Sequence, residues 1–103
     1  MKPILILSTY PNKKFLIDFS NELLKNKTIA CVNYFKTSSI FNWNDSIENV
    51  SEYIVIFKTI SKNKKYLKQK ILETHPYDVP EIAEIDISSI NDSYLKWLVN
   101  STN

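Results

Sequence analysis

The stretch His75-Pro76-Tyr77-Asp78-Val79-Pro80-Glu81-Ile82 gathers the chain's one histidine, two carboxylates and a phenol within eight residues. Imidazole changes charge near neutral pH and ligates soft metals, and carboxylates beside it accept protons or hold cations. Pro76 and Pro80 stiffen the backbone in an extended form, which suits a positioned site better than a mere connector. A plainer reading has His75 ending a helix, bonding its last carbonyls and complementing the dipole, with Tyr77 packed on the core.

Other groups offer less. Glu52 with His75 would act in general acid–base chemistry only within hydrogen-bond reach of a substrate, and Glu52 with Lys58 reads as a structural ion pair, so the chain reads as a non-enzyme. Cys31 sits between Ala30 and Val32 in an apolar run, the setting of a small buried hydrophobe. Lys62, Lys64, Lys65, Lys68 and Lys70 read as a solvated helix face rather than a phosphate-binding one.

The elements that must position these residues follow from hydrophobic period. Pro3 to Thr9 is a nearly continuous apolar run closed by Tyr10-Pro11, a central strand. From Asn12 to Lys27, Phe15, Leu16, Phe19, Leu23 and Leu24 recur at helical spacing. Thr28 to Phe35 is rich in β-branched and aromatic residues and extends through Trp43, where Asn44-Asp45 predicts a hairpin turn.

The third strand runs from near Ile47 to Thr59, with Tyr53-Ile54-Val55-Ile56-Phe57 apolar on both faces. Ser61 opens a helix whose Tyr66, Leu67, Ile71 and Leu72 face inward and which stops before Pro76. Ala83, Ile85 and Ile87 alternate with Glu84 and Asp86 in a fourth strand, and Asn91 or Asp92 caps a short final helix carrying Tyr94, Leu95, Trp97 and Leu98. The order βαββαβ plus a C-terminal helix predicts an α+β, ferredoxin-like fold. Its central hairpin exceeds the usual strand length of about five or six residues, so part of it projects, and Ile40, Phe41 and Trp43 on it invite pairing with another subunit.

Composition narrows the function. The 103 residues fit one domain, 1–103, and the 44% hydrophobic content suffices for a core. A lone cysteine cannot form an internal disulfide, and Lys2-Pro3 leads into a short apolar stretch with no cleavage site, so the reading is cytoplasmic and soluble. The longest apolar runs fall far short of the roughly 20 residues a bilayer crossing needs.

A net charge of +2 is too small for a dedicated nucleic-acid binder, and all 13 basic residues are lysine, so no guanidinium grips phosphate in two prongs. An RNA-recognition motif shares this strand order but needs glycine and exposed aromatics in the third strand, and an acylphosphatase-like hydrolase needs an arginine. Residues 1–70 hold twelve lysines against five acids and residues 71–103 one lysine against six, a basic body and an acidic tail that meet either within one subunit or between two.

Taken in order, Ser8-Thr9-Tyr10-Pro11, Ile29-Ala30-Cys31-Val32-Asn33, Ser39, Trp43, Glu52, Lys58-Thr59, the His75 to Ile82 loop and Tyr94-Leu95-Lys96-Trp97 resemble the CutA family, named for divalent-cation tolerance. The resemblance runs from Ser8 to Trp97 and implies a ferredoxin-like fold in a tight homotrimer whose extended hairpins complete sheets across subunit boundaries. It implies copper or another divalent cation, or a small ligand, as the partner. The cleft it implies between neighbouring subunits would be lined by Trp43, Glu52, Lys58, His75, Tyr77, Glu81 and Trp97, with His75 as the metal ligand.

The chain departs from the pattern where copper ligands are proposed. Ser8 stands in place of a cysteine, and Thr74-His75 in place of a histidine pair. One imidazole with Asp78 or Glu81 is a weak copper site within one subunit, although a three-fold axis would gather three copies of one residue. Asn44 replaces a common glycine at the hairpin turn and tolerates the same left-handed backbone.

Overall fold

The computed structural model describes every residue from Met1 to Asn103. β1 (Pro3–Tyr10) leads to α1 (Lys13–Lys25), then to the long strands β2 (Cys31–Trp43) and β3 (Ser46–Ile60). A single 3-10 turn at Ser61–Asn63 opens α2 (Lys64–Thr74), and β4 (Ala83–Asp86) and α3 (Asp92–Asn100) complete the chain. All strand pairs are antiparallel, in the order β2-β3-β1-β4. This is the ferredoxin-like βαββαβ arrangement with an extended hairpin and a short C-terminal helix.

Period-two alternation decides which face each strand buries. Ile4, Ile6, Ser8 and Tyr10 of β1 are buried with Val55 and Phe57 of β3 beneath Leu16, Phe19 and Leu23 of α1 and Leu67 and Ile71 of α2. Asn12 starts α1 by accepting a 3.0 Å hydrogen bond from the Phe15 N–H. Lys27, at φ 63°, turns the chain out of the helix, and the Asn26 side chain accepts from the Thr28 N–H at 3.1 Å.

Helix faces are narrower than the sequence reading has them. Tyr66, Leu72 and Leu24 stand exposed. The short helix α2 rests on the sheet along the single line of Leu67 and Ile71, and residues one position either side point about 100° away. Its lysines do not all face water either, because Lys64 reaches Glu84 of β4 at 3.1 Å and Lys68 binds the same carboxylate. With Lys2 on Asp86 at 3.3 Å, part of the basic body and acidic tail is therefore neutralised within the chain.

The opposite sheet face is only half covered. Leu5, Leu7, Ile54 and Ile56 are half-buried and Ile85 is exposed, so the two-sided burial expected for β1 and β3 is complete on one side alone. α3 covers one end of this face, where Leu98 packs with Ala30 and Ile60.

β1 pairs with β3 from Pro3–Ile60 to Tyr10–Tyr53, and beyond that seven further pairs, Thr37–Glu52 to Trp43–Ser46, join β2 and β3 only. This arm extends about 23 Å at strand rise. The reversal falls on Asn44 and Asp45, at φ 49° and 62°, the pair of left-handed residues a two-residue hairpin turn requires. The arm stretches the molecule to 45 Å against 27 and 22 Å, and leaves Ile40 and Ile47 70% and 75% exposed.

Candidate functional site

His75 ends α2. Its N–H bonds the Ile71 carbonyl at 2.9 Å, and its backbone turns extended, as the residue before proline prefers. The ring, however, leaves the helix carbonyls and folds onto the end of β1, stacked on Tyr10 with centroids 4.2 Å apart. Nε2 lies 2.7 Å from the Thr9 carbonyl oxygen and 3.3 Å from Ser8 Oγ, and Nδ1 accepts the Tyr77 N–H at 3.1 Å. A carbonyl only accepts, so the proton of the neutral ring is assigned to Nε2. Burial holds the His75 pKa below its ordinary value, opposed by the Thr9 carbonyl and the Glu52 charge.

Ser8 beside His75 has the composition of a nucleophile–base pair but not its geometry. Ser8 is fully buried, and the Nε2 proton is committed to Thr9.

Tyr77 carries the contact onward. Its hydroxyl donates to Glu52 Oε1 at 2.9 Å, and burial together with that carboxylate pushes the phenol pKa up to about 12. Glu52 is only 7% exposed. The ion pair expected with Lys58 does not form, since six residues of strand separate them by about 20 Å. Nor does Glu52 touch His75 directly; Tyr77 stands between, its ring 5.1 Å from the imidazole.

Between the hairpin arm and this loop lies a cavity of about 600 Å³, walled by Phe41, Trp43, Val50, Glu52, Tyr77 and Glu81. Trp43, Glu52, Tyr77 and Glu81 of the sequence-derived set thus share one cavity, with His75 buttressing Tyr77 from behind. Lys58 and Trp97 lie elsewhere: the Lys58 ammonium sits 5.8 Å above the Tyr94 ring, and Tyr94 is 5.4 Å from Trp97. Sequence reasoning left out Phe41, Glu48 and Tyr10 as site residues. Alternation alone places the first two, because Phe41 and Glu48 are register partners on the face that holds Trp43 and Glu52.

No group of three or more His, Cys, Asp or Glu side chains comes together closely enough to hold a metal ion. Cys31 is half-buried and free. No helix is long and apolar enough to cross a membrane.

Residues 4–101 match the family described as CutA1 divalent ion tolerance protein. The chain belongs to the CutA1 family. The divalent-cation tolerance protein CutA of Pyrococcus horikoshii is 37% identical over 99 residues, 96% of this chain and 97% of that one. That of Thermotoga maritima is 33% identical over 98 residues, 95% of this chain and 97% of its own. The crystal structure of the divalent ion tolerance protein CutA1 from Ehrlichia chaffeensis superposes with a TM-score of 0.94 at 37% identity, covering 100% of this chain and 98% of that one. The chain therefore shares its overall fold with that CutA1 structure.

Proposed function

We propose that residues 1–103 act as one domain of a cytoplasmic homotrimer that binds a divalent metal ion, copper among them, or a small ligand in clefts between subunits, without catalysing a reaction. The observation that carries this reading is that the candidate site is divided. Trp43, Glu52, Tyr77 and Glu81 line one cavity, whereas Lys58 and Trp97 lie outside it, Lys58 six strand residues or about 20 Å from Glu52, and a neighbouring subunit would bring the two groups together. β2 is an edge strand of 13 residues without proline, and an edge of that length with Ile40, Phe41 and Trp43 beside it calls for a partner. The half-buried sheet face of Leu5, Leu7, Ile54 and Ile56 offers a second apolar contact.

The residues of one chain do not make a metal site. Both ring nitrogens of His75 have partners, and Ser8 supplies no thiolate, so any metal must draw donors from more than one subunit. The same facts favour a second reading, a structural or adaptor trimer with no tight metal site. Calorimetric titration of the intact protein with copper and zinc, wild type against His75→Ala, separates the two. Saturable binding that disappears in the variant supports the metal reading, and a trimer indifferent to both ions supports the adaptor.

A further inference from the structure

The one imidazole of the chain stands behind the cavity wall rather than in it. Thr9 on one side and Pro76 and Tyr77 on the other line the space, whereas His75 itself does not. Its half-buried ring stacks at an interplanar angle of 23° on Tyr10, which has no exposed surface.

Both ring nitrogens are engaged by the backbone. Nε2 faces the Thr9 carbonyl oxygen at 2.7 Å and Nδ1 takes the Tyr77 N–H at 3.1 Å, so the ring bridges the end of β1 to the loop after α2. An imidazole that ligates a metal commonly donates one N–H to a carbonyl, as Nε2 does here, and offers the other nitrogen's lone pair to the ion. In His75 that lone pair already accepts the Tyr77 N–H. A neutral ring has only one such lone pair, so Nδ1 takes either the N–H or an ion. Ser8, beside Nε2, is fully buried, and no group of three acidic, thiol or imidazole side chains converges nearby.

The loop depends on this link. Both hydrogen bonds made by residues 76–82 come from Tyr77, its N–H to His75 and its hydroxyl to Glu52. Pro76, Tyr77, Asp78, Val79 and Glu81 of the same stretch form one side of the cavity. An ion that captured Nδ1 would remove one of the two tethers of the wall it was bound against.

We propose that His75 is a positioning residue and not a metal ligand: its neutral, Nε2-protonated ring holds Tyr77, and through it the loop, as one wall of the cavity. An ion or small molecule in the cleft then meets Tyr77 and its neighbours and not the imidazole. The assignment concerns contacts within one chain, so it neither needs nor decides the intersubunit reading.

The test uses the full chain, whose single histidine gives one set of ring resonances after isotopic labelling. In a chelator-treated sample at pH 7.5, above the usual histidine pKa, long-range proton–nitrogen correlation is expected to show Nε2 protonated and Nδ1 bare. Added zinc chloride is expected to shift neither nitrogen. In the same metal-free state, amide hydrogen exchange of Tyr77 should be about tenfold faster in His75→Ala than in the wild type, the loss of one hydrogen bond. His75→Asn, whose side-chain oxygen can accept from the N–H two residues on, should restore most of that protection. A ring protonated on Nδ1, a coordination shift of either nitrogen with zinc, or Tyr77 exchange that the alanine leaves unchanged or the asparagine does not rescue overturns the inference. The wild-type ring spectrum decides even where a variant fails to fold, and none of these results touches the cleft reading, which the solution mass decides.

Discussion

Replacing Tyr77 with Phe removes one oxygen and tests how the loop is tied to the sheet. The Tyr77 hydroxyl is the sole partner of Glu52, at 2.9 Å, and the carboxylate it leaves is 7% exposed with no lysine in reach. A hydrogen bond to a charged group contributes about 1.5 to 3 kcal/mol. Because Glu52 also faces the cavity, where water can solvate Oε2, the lower end applies, and the expected loss is about 1.5 kcal/mol. For a domain of this size that corresponds to a Tm lowered by about 6 to 12 °C. The assay is urea and thermal unfolding at pH 7 and fixed chain concentration, extended to a cycle with Glu52→Ala, which has no acceptor for the Tyr77 hydroxyl, and the double variant. A coupling energy of about 1 kcal/mol is expected. A Tyr77→Phe loss below about 0.5 kcal/mol, or strict additivity of the two substitutions, refutes the claim that this bond anchors the loop.

Three further outcomes follow from the same geometry. Phe57→Ala should cost about 3 to 5 kcal/mol, read as a fall in the urea midpoint, because the ring is fully buried and meets Phe19 edge-on at 6.1 Å. Asn44→Ala should cost about 1 kcal/mol or more at φ 49°, whereas Asn44→Gly should leave the unfolding midpoint unchanged or raise it. Since the folded-state pKa of His75 is depressed, the unfolded chain takes up its proton first on acidification. The stability of the neutral ring is then fully present above about pH 6.5 and is lost as pH falls toward the folded-state value. The urea midpoint should therefore drop from pH 7.5 to pH 5, and His75→Gln should flatten that dependence.

The sequence carried most of the frame because its signals are local. The apolar run from Pro3, the Asn44-Asp45 reversal without glycine and the stop before Pro76 each depend on a few adjacent residues, and β1, the hairpin and the end of α2 lie where those signals place them. What was not legible depends on distance in space. Tyr66 and Leu72 share the helical period of Leu67 and Ile71, but a helix touching a sheet along one line buries only the centre of its apolar stripe.

Glu84 gathers Lys64 and Lys68 across 20 and 16 residues of sequence, a pairing set by how α2 lies over β4. The candidate cleft shows both limits. Glu52 and Lys58 share a strand face, so parity alone pairs them, while strand rise sets them about 20 Å apart. His75 was legible as a candidate site residue, but its partners, the Thr9 carbonyl and the Tyr77 N–H, are backbone atoms that carry no residue signature.

The central claim is that the site is completed by a second copy of the chain. The most direct measurement is the solution mass by multi-angle light scattering, at low and high protein concentration. Three times the chain mass of 12.1 kDa at both concentrations is the result expected. A mass of one chain would leave the hairpin arm and the divided cleft without a partner, and would contradict the account.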